Sequence, residues 1–299
     1  MKDPWPVHVP LIQDELLSSW LIRTAFENGS YPLAWTWHFW RRSRVWTLDI
    51  DRFCSLELIN AIVSPKVTKQ ELINATLYPS LLKIVSNDIH QYKKSWPWVT
   101  TLGARNRDRT GGLRYCPECL KSPPIYFRRD WRFSWNHSCA IHQCLLRDTC
   151  PSCSSSVCPH KLNYNIENLS LCSACGHDLS KGISNECSND SFALQILMNS
   201  TLDSKKSNLP WNILTSKDLF ETVRYLMSFL NRAHSVRTSA DTKLLNIINV
   251  EFPSNTFHSS PIERLPICGM HALSEMVSKI FKYSLAEFSN LTSEVGYNR

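Results

Sequence analysis

Along residues 11–23 apolar side chains recur four apart, Leu16 with Trp20 and Leu17 with Leu21, with Gln13, Asp14, Glu15 and Arg23 among them. Such spacing gives a helix one apolar face. Asp14 is placed to cap that helix, Ile12 to pack before the cap, and Gly29 to end it. Residues 32–42 predict a second helix with Trp35, Trp37, Phe39 and Trp40 in its body, and Arg41, Arg42 and Arg44 supply a basic end. Residues 51–64 predict a third. Thr68-Lys69-Gln70-Glu71 is a capping box, with threonine at the cap and glutamate three residues on, and it opens a fourth helix over 72–77. Short helices joined by tight turns in this part of the chain are compatible with a helix-turn-helix bundle.

From residue 96 to 112 the pattern changes, and Arg105-Asn106-Arg107-Asp108-Arg109-Thr110-Gly111-Gly112 is polar, charge-dense and glycine-ended, which predicts a linker or mobile loop. Residues 125–135 place Trp131, Phe133 and Trp135 on one face at a period of two, which predicts a strand. Residues 136–147 predict a short helix carrying His142. Beyond Gly182 the helical period returns over 192–202 and 241–250. It is clearest over 215–233, where Leu219, Val223, Leu226, Met227 and Leu230 hold core spacing. A loop with Pro253 and Pro261 leads to a last helix within 267–289. The expected fold is mainly α with small β zinc ribbons. A helical, helix-turn-helix-like domain (1–100) and a C-terminal helical domain (184–299) flank a tandem zinc-ribbon region (101–183).

Composition narrows this only slightly. A chain of 299 residues, 43% apolar and 20% charged, can bury a core, and no uncharged apolar run approaches the roughly eighteen residues that cross a bilayer. Eleven tryptophans against eight glycines favour aromatic-rich helices over a loop-rich β enzyme. The formal charge of +7 is concentrated in residues 100–147: Arg105, Arg107, Arg109, Arg114, Lys121, Arg128, Arg129, Arg132 and Arg147 face only Asp108, Glu118 and Asp130. Tyr126, Phe127, Trp131 and Trp135 are interleaved with them. Phosphate contact with base stacking, or a charged surface over an aromatic core, would each give that pattern. The candidate nucleic-acid contacts are Arg41, Arg42, Arg44, Arg105, Arg107, Arg109, Arg128 and Arg129.

The cysteines change the picture most. Cys116-Pro117-Glu118-Cys119 is answered by Cys139-Ala140-Ile141-His142, with nineteen residues between the inner ligands. Cys150-Pro151-Ser152-Cys153 is answered by Cys172-Ser173-Ala174-Cys175, with eighteen between. Paired ligands two residues apart, in matched sets, predict two structural zinc ions. Residues 1–10 carry charge and three prolines with no apolar core, unlike a signal peptide, so a reducing compartment and metal binding are expected rather than disulfides. Sequential pairing closes two short loops and is favoured; an interleaved pairing would join the first pair to the third. Four protein ligands per site leave no open position for catalytic water. Bound thiolates would take the first set to −1 and the second to −2, so the loaded chain is less basic than its formal charge. His137, Cys144, Cys158, His160 and His177 lie near the ligands in sequence but outside the pairs. Cys54, Cys187 and Cys268 are isolated, as core residues would be. Gly176 permits a tight turn after Cys175. The chain has no Gly-x4-Gly-Lys-Ser/Thr, no Gly-x-Ser-x-Gly, no Gly-x-Gly-x-x-Gly and no His-Glu-x-x-His.

Four stretches together resemble the TniQ/TnsD family of transposon target-selection proteins. They are Asp14-Glu15-Leu16-Leu17-Ser18-Ser19-Trp20-Leu21-x-Arg23; Leu113-Arg114-Tyr115-Cys116-Pro117-Glu118-Cys119-Leu120; Tyr126-Phe127-Arg128-x-x-Trp131-Arg132; and the run from His137-x-Cys139-x-x-His142 through Asp148-x-Cys150-Pro151-x-Cys153 to Cys172-x-x-Cys175-Gly176-x-Asp178-Leu179. The likeness covers residues 5–180. It implies an adaptor in the bacterial cytoplasm, associated with the nucleoid, and not an enzyme. Such a protein recruits the transposon's AAA+ regulator (TnsC/TniB-like) to an RNA-guided Cascade-type complex or to target DNA, and family members often act as dimers. The chain's length favours the shorter TniQ kind of CRISPR-associated transposons over TnsD-type readers of an attachment site. The competing class is a zinc-ribbon DNA-binding regulator acting alone.

Overall fold

The computed structural model describes residues 5–41, 45–46, 49–52, 55–85, 96–102, 112–163, 168–203, 209–250 and 261–297. The chain is mainly helical with little strand: among the described residues, pairing outside helices is limited to isolated antiparallel bridges. It divides into two compact units, one of Met1–Leu81, Val99–Phe133 and Leu146–Ser184, the other of Leu82–Trp98, Ser134–Leu145 and Asn185–Arg299.

The first unit is built on α1 (Leu17–Glu27), whose Leu17, Trp20 and Leu21 are buried with Trp5, Val9, Trp40, Ile59, Ile62 and Leu72. Gly29 follows the helix at φ +65°, as a stop residue should. Asp14 is not the cap. The residue before the helix is Leu16, and the free N–H groups are met from far along the chain: Leu16 N–H by Phe127 O, Leu17 N–H by Ala75 O and Ser18 N–H by Asp51 Oδ1. Asp14 instead accepts from Tyr126 Oη and pairs with Arg128. Tertiary partners outcompete the local cap because the helix start is buried, where an unmet N–H costs about 1–3 kcal/mol.

Helix α2 (Pro32–Trp40) begins with proline at its first turn. The predicted third helix shortens to α3 (Leu56–Asn60), capped by Ser55, with residues 49–52 forming a turn whose carboxylates are used elsewhere. Thr68 and Glu71 form the expected reciprocal capping box at α4 (Lys69–Asn74), and α5 (Tyr78–Leu82) follows.

Residues 125–135 do not form the expected strand. Arg128 bridges to Glu15, Asp130–Arg132 is a single 3-10 turn, and Phe133 bridges to Val99. The period-two aromatic pattern is satisfied by burial alone: Trp131, Phe133 and Trp135 are in the core. Ahead of the expected linker, Trp96, Trp98 and Val99 are buried; residues 105–111 of that linker lie outside the described residues.

The second unit contains α6 (Asn189–Asp203), α7 (Ser216–Val236), α8 (Ser239–Ile248), α9 (Ile267–Ile280) and α10 (Leu285–Glu294). Helix α6 packs most extensively on α9. Trp98, Trp135 and Phe220 meet edge-to-face in all three pairings, with centroids 4.8–5.8 Å apart, a geometry aromatic quadrupoles favour. Buried Glu263 accepts from Trp98 N–H and pairs with Arg224. The single helix expected within 267–289 is two, because Ser284 and Glu287 make a capping box that starts α10 afresh. Cys268 is exposed, contrary to its expected place in the core, and Cys54 lies outside the described residues.

Candidate metal centres

Three of the four ligand pairs sit in the same turn. The carbonyls of Cys139, Cys150 and Cys172 accept the N–H four residues on, from Gln143, Ser154 and Gly176, at 2.8, 2.9 and 2.8 Å. The N–H of each of these cysteines is donated to the carbonyl five residues on, that of Cys144, Ser155 or His177. Closing both bonds turns the residue after the second ligand left-handed: Gln143 at φ +52°, Ser154 at +57° and Gly176 at +72°. The turn expected at Gly176 is therefore present, and two further copies carry side chains that pay the left-handed cost, about 1–2 kcal/mol. No short helix forms around His142; the knuckle itself replaces it. The Cys116 pair differs, running from Pro117 into the 3-10 turn Glu118–Lys121.

Gly176 has nothing within 4 Å of where a Cβ would stand, so only its backbone angle resists substitution. Gly176→Ala is expected to cost about 1 kcal/mol in denaturant unfolding of the metal-loaded chain. Ser154→Gly is expected to cost nothing or to stabilise slightly. A loss of stability in Ser154→Gly would contradict the shared turn.

The turns are held by different means. Gln195 of α6 is buried and bonded through both amide atoms: its Oε1 accepts from His137 N–H, Ser138 N–H and Ser138 Oγ, and its Nε2 donates to Ser138 O. It fixes the backbone just ahead of Cys139, and nothing in the sequence near the ligands announces it. Tyr115, just ahead of Cys116, exchanges two backbone bonds with Arg147 and donates its hydroxyl to Thr149 O.

The ligand atoms of Cys116, Cys119, Cys139 and His142 all lie within 4.8 Å of one another, and so do those of Cys150, Cys153, Cys172 and Cys175. The grouping follows the chain, as in sequential pairing. Four sulfurs about 2.3 Å from a central ion define edges of about 3.8 Å, and replacing one by an imidazole nitrogen shortens its edges to about 3.6 Å. Observed separations are 3.7 Å for Cys150–Cys175, 3.8 Å for Cys153–Cys172, and 3.6 Å from Cys139 Sγ to His142 Nδ1. A disulfide would bring sulfurs to about 2.05 Å. The donor sets thus fit a tetrahedral metal ion each.

The neighbours outside the pairs have other tasks. Cys144 and Cys158 are buried, and His160 stacks on Trp46 at 5.1 Å. His137 is fully buried, with Nδ1 against Trp135 O and Nε2 3.6 Å from Cys187 Sγ. Half-buried Cys187 has its thiol pushed up by burial.

Of the candidate nucleic-acid contacts, Arg41 is exposed at the end of α2. Arg128 is half-buried, paired with Asp14 and lying 5.1 Å from the centre of the Tyr126 ring; burial holds the half-buried Arg129 below the usual arginine range. Arg42, Arg44, Arg105, Arg107 and Arg109 lie outside the described residues. Two members of the basic stretch, Arg114 and Arg132, are core groups. Burial pulls the Arg114 guanidinium down to about 10.

The sequence stretches 14–23 and 126–132 are each other's partners. Asp14 takes Tyr126 and Arg128, Ser19 Oγ accepts Phe127 N–H, and Glu15, fully buried, receives Arg23 through two bonds of 2.7 and 2.8 Å. In the comparisons with known proteins, the TniQ family model matches residues 6–146, a span that holds both stretches and the first four ligands and stops short of the second four. No curated protein matches the chain.

Proposed function

Residues 6–146 make this chain a TniQ-domain protein, and from that premise we propose that it is a transposition-targeting adaptor rather than an enzyme. In this reading it links a target-site assembly to the AAA+ regulator of a transposon. The target assembly is an RNA-guided Cascade-type complex or target DNA, and the protein works as a monomer or homodimer. The observation that carries the reading is the family match across the interlocked segments 14–23 and 126–132. The donor sets support it, since each is complete with four protein ligands and has no vacancy for substrate or water.

Zinc is the ion proposed for both sets, because three or four thiolates at tetrahedral spacing are its preferred structural environment. When bound, it cross-links backbone segments far apart in sequence and does no chemistry. No helix among the described residues is long and apolar enough to cross a membrane.

The test is a pull-down of the tagged, zinc-loaded chain against the proteins encoded beside its gene. Capture of an AAA+ ATPase or of an RNA-guided complex subunit is the expected result. A protein that captures neither, yet holds bare duplex DNA with a steep salt dependence, would be a stand-alone DNA reader instead.

A further inference from the structure

Helix α2 has an inner face that is fully engaged. Trp35 and Phe39 pack on Trp5 with centroids 5.6 and 4.8 Å away, Trp40 donates its indole N–H to Leu58 O, and Trp46 donates its own to Thr36 Oγ1. These contacts fix the helix on the first unit without help from Trp37. Trp37 points outward and is 64% exposed, with Leu33 one turn before it and Arg41 one turn after it, both exposed. A tryptophan left in water on a pinned helix gains nothing from packing, and large aromatics in that position are characteristic of contact surfaces.

The sequence that flanks it is one-sided in charge. Between Glu27 and Asp49 the sequence has no acidic residue, while His38, Arg41, Arg42 and Arg44 all fall there. Residues four apart on a helix are neighbours, about 6 Å between their Cβ atoms, so a ring laid on Trp37 would have its phosphate within reach of Arg41. A protein partner docking on a helix wants a longer apolar stripe; here the stripe turns cationic after two positions. We infer that the outer face of α2 is a stacking site for an unpaired nucleobase, with Trp37 as the platform and Arg41 as the phosphate contact. This deepens the adaptor reading by giving it a direct hold on a displaced or guide strand, but it is tested separately.

The probe is a fluorescein-labelled single strand of about 16 nucleotides, the upper end of a single-strand site, in DNA and RNA forms beside the matching DNA duplex. Anisotropy with the zinc-loaded full chain at low and moderate salt is expected to show tighter binding of a single strand than of duplex. Trp37→Ala should weaken the single strand about five- to a hundredfold, the range for losing one stacked base, and Trp37→Tyr should restore most of it. Arg41→Gln should lower the salt slope by about 0.7, one phosphate's share for a single strand. The DNA and RNA arms identify the strand. Undiminished affinity in Trp37→Ala overturns the proposal, as does a wild-type chain that binds no oligonucleotide at low salt. Trp37→Ala that loses a protein in the pull-down but keeps its oligonucleotide affinity assigns the face to that protein instead. Failure to capture an ATPase or guide complex would sink the adaptor reading and leave these affinities standing on their own.

Discussion

A high-affinity chelator is expected to unfold the region 146–184 while the helices of the second unit persist. Regular structure there is sparse among the described residues: two internal bridges, Thr149 with Ser156 and Leu171 with Asp178, one outward from Arg147 to Tyr115, and the 3-10 turns Pro159–Lys161 and Leu179–Lys181. Backbone bonding of that kind does not hold a fold, and beyond the ligands the buried apolar side chains of the segment are few (Leu146, Val157, Cys158, Pro159, Leu162, Leu169, Leu179). A structural metal site contributes on the order of 10 kcal/mol, comparable with the whole stability of a domain, about 5–15 kcal/mol. Loss of a metal therefore cannot be absorbed. The second set should empty first, because two of its thiolates, Cys153 and Cys175, are exposed, whereas the exposed ligand of the first set is His142. A metal indicator should record two phases, the first coinciding with loss of amide protection over 146–184. Cys172→Ser should mimic that phase alone. Elemental analysis returning fewer than two ions per folded chain, or a melting transition indifferent to chelation, would end this account.

How far the chain could be read in advance depended on where its bonds were local. Thr68 and Glu71 lie three residues apart and form the box their spacing announces. The ligand pairs are visible for the same reason. Asp14 also looks like a cap, but the helix start is buried and its donors are met by Asp51, Ala75 and Phe127, contacts across 33, 58 and 111 residues that no window of the sequence contains. Ser154 and Gln143 carry the left-handed turns of two knuckles with ordinary side chains, so only Gly176 showed the turn. The basic stretch was ambiguous for a related reason. Arginine on a surface and arginine in a buried ion cluster have the same spacing, and the difference lies in acids some eighty residues away.

Arg132 is where that distinction has its largest consequence. It is 1% exposed, and its guanidinium is fully used: two bonds to Asp49 at 2.6 and 3.1 Å, one to Asp51 at 3.1 Å, and two to Thr100, at 3.2 Å to the carbonyl and 3.4 Å to Oγ1. Asp51 in turn holds the start of α1 through Ser18 N–H and Ser18 Oγ. Arg132→Met removes the guanidinium that bonds both buried Asp51 and half-buried Asp49, leaving Arg52 beside Asp49, and is expected to cost about 3–5 kcal/mol in urea unfolding of the metal-loaded chain. Arg132→Lys should recover little, since a single ammonium cannot serve both carboxylates and Thr100 as the planar fork does. The cluster also sets a pH dependence. Burial raises the Asp51 carboxyl to about 6, against the attraction of Arg132 and with added repulsion from Asp49. Between about pH 4 and 6 the folded state then binds more protons at Asp51 than the unfolded chain does, so this group's contribution to stability falls as pH rises through that window. Asp51→Asn imitates the protonated form. It should cost less than Arg132→Met and should remove the slope. Metal release on acidification acts on both proteins alike, so the difference between wild type and Asp51→Asn across pH 4–6 isolates the carboxyl. A difference that does not change with pH would place the titration elsewhere.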